Sequence, residues 1–191
     1  MTTSIYLVRH GRTALNAAGA LRGRLDPPLD EAGEAEAEEL GNMFSAIDLG
    51  AVISSPLRRA VQTATAIARR HGLAVTAEPG LIDRDYGPWA GQRRADIESD
   101  HGPVDELPGV EPLTQLTARV TATFQRLTGV AASRPVVAVA HDVVNRVLLA
   151  DLCPERFPSP DDVPQRTGCW NQLELGAAGW GITVVDAVTA G

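Results

Sequence analysis

Residues 4–9, SIYLVR, form a short apolar and β-branched run that stops at His10-Gly11, the pattern of a buried strand opening into a loop. From Asp30, a suitable N-cap, to about Ile47, the positions Ala35, Leu40, Phe44 and Ile47 recur near helical spacing with acids on the other face. That predicts a surface-packed helix. Residues 51–54, AVIS, read as a strand, and Ser55-Pro56 after it as an N-cap with proline at the first helical position. Leu57, Val61, Ala64 and Ile67 or Ala68 supply that helix's apolar stripe. Further along, the pattern predicts a helix over 111–127, a fully buried strand over 135–140 running straight into His141, and a helix over 143–151. Two apolar runs within 168–188, separated by residues 176–179, predict a hairpin-like pair of strands. Proline and acidic residues mark 102–112 and 153–166 as loops. Strands alternating with helices predict an α/β fold, a three-layer αβα sandwich with a mostly parallel central sheet, in which ligands sit outside the carboxyl ends of the strands. His10 and His141 are both expected at such ends.

Composition narrows the picture. The 191 residues fit a single domain, 1–191, and 44% hydrophobic residues with a mean hydropathy of −0.05 are those of a globular chain. No apolar run approaches the roughly 20 residues of a membrane span, and residues 1–6 do not read as a secretory signal, so a cytoplasmic protein without membrane contact is expected. A monomer or a homodimer is compatible with this. Cys153 and Cys169, the two cysteines, are expected as free thiols. The net charge of −7 argues against nucleic-acid binding. Lysine is absent, so all 17 basic residues are arginines; this excludes Schiff-base chemistry and leaves arginine as the cationic phosphate ligand.

Arg9 and His10 stand side by side where the first strand opens, with Gly11 expected to let the backbone approach a ligand closely. Further along the chain come Ser54-Ser55-Pro56-Leu57-Arg58-Arg59-Ala60, then residues 81–91, then Ala140-His141. In this order the elements resemble the histidine phosphatase superfamily, branch one, which includes the cofactor-dependent phosphoglycerate mutases. The resemblance spans residues 5–150 or so. It implies a phosphohistidine formed on His10, with Arg9, Arg59 and His141 holding the phosphoryl group; Arg59 rather than Arg58 matches the family's phosphate ligand. Phosphoryl transfer is largely a matter of positioning and electrostatic stabilisation, which these groups supply without a metal or other cofactor. Thr13, Asn16, Arg22 and Gly23 resemble the outer substrate wall, and Arg84 and Tyr86 resemble mutase substrate contacts. Residues 92–112 and 153–167 are expected as pocket-shaping loops, with Arg93, Arg94, Asp105, Glu106 and Trp170 beside them.

Two departures from the family pattern concern the proton donor. Asp83 stands where most branch-one members have glutamate, and Asp142 follows His141 where branch one usually has glycine and branch two its acid. Asp83 is favoured, because Arg84, Tyr86, Gly87, Trp89 and Gly91 around it follow the branch-one motif; Asp142 would otherwise cap the following helix. The expected activity is hydrolysis of a small phosphorylated metabolite. The alternatives are a phosphoglycerate mutase-type transferase and a non-catalytic phospho-ligand binding module.

Overall fold

The computed structural model describes residues 3–177 and 179–189. Ala178, in the turn expected between the last two strands, and Met1 and Thr2 of the segment read for a signal lie outside them. Among the described residues, β1 (Thr3–Arg9), β2 (Ala51–Ser54), β3 (Val75–Ala77), β4 (Val136–Ala140), β5 (Trp170–Gly176) and β6 (Gly179–Ala187) form one sheet in the order β3-β2-β4-β1-β5-β6. The first four strands are parallel, and β5 runs antiparallel to its neighbours β1 and β6. The mostly parallel sheet and the C-terminal hairpin are as expected.

The helices are α1 (Ala14–Ala17), α2 (Glu31–Phe44), α3 (Arg58–Ala68), α4 (Arg94–His101), α5 (Leu113–Val130) and α6 (Asp142–Leu152). Alternation along the strands sorts them into layers, because successive side chains point to opposite faces. Ile5, Leu7, Val136 and Ala138 pack with Leu116, Val120, Phe124 and Val147 of α5 and α6. Tyr6, Val8, Val137 and Val139 pack with Leu40, Phe44, Ala60, Ala64 and Ile67 of α2 and α3. The central strands are thus apolar throughout because both faces are covered.

Several local readings change. Asp30 does cap α2, accepting from Gly33 N at 2.9 Å, but the buried stripe is Gly33, Ala37, Leu40, Gly41 and Phe44, while Ala35 is exposed. Ser55 does not cap α3: the helix begins at Arg58 after Leu57, and Ser55 turns its hydroxyl to His141. Residues 94–101, expected as loop, form α4. Its sequence, RADIESDH, buries only Ile97, so no apolar stripe announces it. Gly11 makes a close approach, but to the protein itself: a Cβ there would stand 2.4 Å from the Gly33 carbonyl oxygen at the start of α2.

Candidate active site

Register brings the chemistry together. β1 and β4 are parallel neighbours with Arg9 opposite Ala140, so the next residue of each strand, His10 and His141, emerges side by side; the ring centroids are 5.1 Å apart. β2 pairs with β4 on the other side and leads through Ser55 into α3, which delivers Arg59. His10, His141 and Arg59 have no exposed surface, and Asp83 only 2%.

His10 has a fixed tautomer. Nδ1 lies 2.6 Å from the Gly11 carbonyl oxygen, which can only accept, so Nδ1 carries the proton. Nε2 lies 3.2 Å from Arg59 Nε, which can only donate, so Nε2 keeps its lone pair. The ring is therefore neutral, with the Nε2 lone pair held in one direction. Burial first, then the positive surroundings including His141, Arg59, Arg9 and Arg22, push the His10 pKa far below the usual histidine range.

His141 Nε2 lies 2.8 Å from Ser55 Oγ, which also accepts from Leu57 N at 3.3 Å. The Ser55 hydroxyl can donate to Nε2, in which case the imidazole proton sits on Nδ1, or accept from it through its second lone pair. His141 Nδ1 is buried with no hydrogen-bond partner among the described residues, 3.7 Å from Asp83 Oδ2. Burial, then Arg59, Arg22 and Arg9, lower the His141 pKa as well. Asp83 accepts from Arg59 Nη2 at 2.9 Å through Oδ2 and from Arg84 N at 2.9 Å through Oδ1. Despite being one methylene shorter than glutamate, it reaches the arginine at the centre of the cluster.

Arg59 is held on all sides, donating also to Gly23 O at 2.9 Å and Leu25 O at 2.7 Å. Arg58, one helical position away, is exposed. Removing one partner of a buried ion pair leaves the other charge uncompensated, so Arg59→Ala should lose about 3–5 kcal/mol of stability. Arg58→Ala should stay within about 0.5 kcal/mol. Urea titration of the two variants checks this, and equal small losses would contradict the packing of α3.

Arg9 donates to the Gln165 carbonyl and pairs with Asp142 at 3.5 Å, while its buried Nε has no partner among the described residues. Gln165 is itself set by Asn145 and Asn171, at 2.9 and 2.8 Å. No signal in the sequence marks this glutamine, nor Ser55 as a histidine partner. Asp142 is the first residue of α6, whose N-cap is His141, and its side chain makes no cap; it pairs with Arg9 and Arg146 instead. Its expected capping role is thereby replaced by ion pairing.

The outer wall is distributed differently. Thr13 and Asn16 form the capping box of α1, with Thr13 Oγ1 accepting from Asn16 N at 3.3 Å, so their polar atoms are used locally. Gly23, at φ 48°, supplies a carbonyl to Arg59, and a Cβ there would stand 3.0 Å from Arg84 O and from the Tyr86 ring. Arg84 is buried, donates to Glu111 O at 2.8 Å and pairs with Asp105, which ties down the segment before α5. Its buried Nη2 has no partner among the described residues, and Arg84 does not line the cavity that Arg22 and Tyr86 share. Arg22 and Tyr86 do line a cavity of about 270 Å³, with Arg94, Asp142, Arg146 and Asp161. Tyr86 has its pKa pushed up to about 12, by burial above all. Arg93 and Glu106 are exposed, and Trp170 packs on Tyr6 and Phe44 in the core rather than at the pocket. A larger groove of about 760 Å³ runs between α2 and α3 and contains none of the clustered residues.

Both cysteines are free, and burial pushes the Cys169 thiol up, which keeps it protonated and unreactive. Among the described residues no group of three or more His, Cys, Asp or Glu side chains converges as a metal site would, and no helix is long and apolar enough to cross a membrane.

The depressed pKa values of His10 and His141 carry a pH dependence. Below about 6.5 the unfolded chain binds a proton on each histidine and the folded chain does not, so stability should fall as pH falls, by up to about 1.4 kcal/mol per pH unit for each. Folded His10 should meanwhile stay neutral through this range. Urea midpoints at pH 7.5 and 5.5 test the first part: a smaller midpoint shift in His10→Asn than in the unsubstituted protein is expected, and identical shifts would show that folded His10 takes up the proton.

A sequence model of the "Histidine phosphatase superfamily (branch 1)" matches residues 5–187. An uncharacterized phosphatase of Bacillus subtilis is 27% identical over 94% of this chain and 92% of its own length. Phosphoserine phosphatase 1 of Hydrogenobacter thermophilus is 31% identical over 78% of this chain and 75% of its own. The native structure of a mycobacterial glucosyl-3-phosphoglycerate phosphatase superposes with a TM-score of 0.85 and 25% identity, covering 98% of this chain and 100% of the other.

Proposed function

Because the chain belongs to branch 1 of the histidine phosphatase superfamily, we propose that it hydrolyses the phosphomonoester of a small phosphorylated metabolite through a phosphohistidine on His10, without a metal. The observation that carries this reading is the arrangement around the His10 Nε2 lone pair. Two buried nitrogens without hydrogen-bond partners among the described residues, Arg9 Nε and His141 Nδ1, belong to the residue before His10 and to the ring 5.1 Å from it, and a buried polar atom left unpaired is costly unless a ligand engages it.

In the first step the Nε2 pair attacks phosphorus as the ester P–O bond breaks, and Gly11 O steadies the charge gained by the ring through Nδ1–H. Arg9, Arg59 and His141 meet the negative charge on the phosphoryl oxygens. As the phosphoryl group takes over Arg59, Asp83 is released from its ion pair, takes up a proton from solvent and gives it to the leaving oxygen. In the second step Asp83 takes a proton from water as the water oxygen bonds phosphorus and the N–P bond breaks; phosphate is released, and the enzyme returns to its starting state when Asp83 gives that proton back to solvent. The relatives named for phosphoserine and for glucosyl-3-phosphoglycerate support a small phosphorylated metabolite as the substrate class.

The test is phosphate release from a panel of phosphorylated metabolites with and without chelator, alongside a phosphoglycerate mutase assay. Release that persists in chelator is expected, since arginine and histidine donors take the electrostatic part a metal would play. Strict dependence on added magnesium, or transfer without release, would overturn the reading.

A further inference from the structure

The cavity beside the cluster holds more positive charge than one phosphoryl group uses. Arg22, Arg94 and Arg146 all line it, and they come from three separate segments, the loop after α1, α4 and α6. Arg146 is committed to Asp142 and to the Pro160 and Asp161 carbonyls. Arg94 makes a half-exposed pair with Glu98 at 3.2 Å. Arg22 donates to Ala20 O at 3.2 Å, and its buried Nε has no partner among the described residues. The charge of Arg22 is felt at the cluster, where it contributes to lowering the pKa of His10, His141, Arg9 and Arg59. Two acids share the wall: Asp142 is neutralised by Arg9 and Arg146, while Asp161 opposes an anion.

We propose that Arg22 and Arg94 form a subsite for a second anionic group on the substrate, a carboxylate or a further phosphate, carried on the leaving alcohol. This rests on the phosphatase reading above and narrows its substrate class: the preferred esters are those whose remainder is itself negatively charged. Guanidinium groups suit such oxyanions, because each can donate two parallel hydrogen bonds.

Four phosphate esters decide it, assayed for kcat/KM: glycerol phosphate with a neutral remainder, phosphoglycerate with a carboxylate, a propanediol bisphosphate, and phosphoethanolamine with an ammonium. At least one of phosphoglycerate and the bisphosphate should exceed glycerol phosphate by about tenfold or more, the scale of a charge-assisted contact, and which of the two does so names the second group. Arg22→Gln and Arg94→Gln should each bring that ratio toward one, mainly through KM, whereas Arg58→Gln on α3 should keep it. Ratios near one in the unsubstituted protein, ratios untouched by both substitutions, or a preference for phosphoethanolamine that would point to Asp161 each overturn the subsite. If the protein releases phosphate from none of the four, the metabolite panel above decides the phosphatase reading separately. Calorimetric titration of the unsubstituted protein then decides the subsite alone: tighter binding of phosphoglycerate or the bisphosphate than of glycerol phosphate sustains it, and equal affinities overturn it.

Discussion

His10→Ala should lose turnover by about 10⁴-fold or more and should form no phosphoenzyme, because removing a covalent nucleophile takes away the step on which the others act. In the unsubstituted protein, rapid quench after mixing with substrate should trap a phosphate on His10 that is labile in acid and stable in base, the behaviour of a phosphoramidate. The expectation follows from geometry as much as from residue type. Nδ1–H donates to the Gly11 carbonyl, so Nε2 cannot rotate away from the side where Arg59, Asp83 and His141 meet. Neither residue neighbouring His10 offers a replacement: Arg9 is a cation and Gly11 has no side chain. Full activity in His10→Ala, or label recovered on another residue, would remove the mechanism altogether.

Asp83→Asn should lower kcat/KM for an alkyl phosphate on the order of 10²-fold or more, the usual contribution of general acid catalysis, while p-nitrophenyl phosphate loses much less. An alkoxide needs a proton as it departs, and p-nitrophenolate does not. Asp83 is favoured over Asp142 by its surroundings, since its Oδ2 touches Arg59 and faces His141 Nδ1 at 3.7 Å. Asp142 stands on the cavity wall with its carboxylate shared between Arg9 and Arg146, so Asp142→Asn should show no dependence on the leaving group. The reverse pattern would make Asp142 the donor. Equal losses on both substrates in both variants would mean that neither carboxylate donates the proton in the limiting step.

Much of this protein is written in its order of residues. Strand β1 was legible because a central parallel strand is covered on both faces and must be apolar throughout, and β4 for the same reason. From those two strands alone His10 and His141 fall at carboxyl ends, and the motif around Arg59 and Asp83 completes the list of groups that meet. Local chemistry also determined the cap at Asp30, which needs nothing beyond its own helix. Wherever a residue's partner is distant in the chain, the sequence is silent. Ser55 reads as a helix cap until β4 brings His141 to 2.8 Å, and Asp142 reads as another until Arg9 and Arg146 claim it. Gly11 reads as room for a ligand until α2 fills the space with Gly33. Arg84 and Arg22 are alike as letters, but folding gave one Glu111 and Asp105 as partners and set the other on the wall of a cavity. The physical reason is common to all of these: spacing encodes which face of an element is apolar, whereas the partner of a buried polar atom depends on which elements the sheet order makes neighbours.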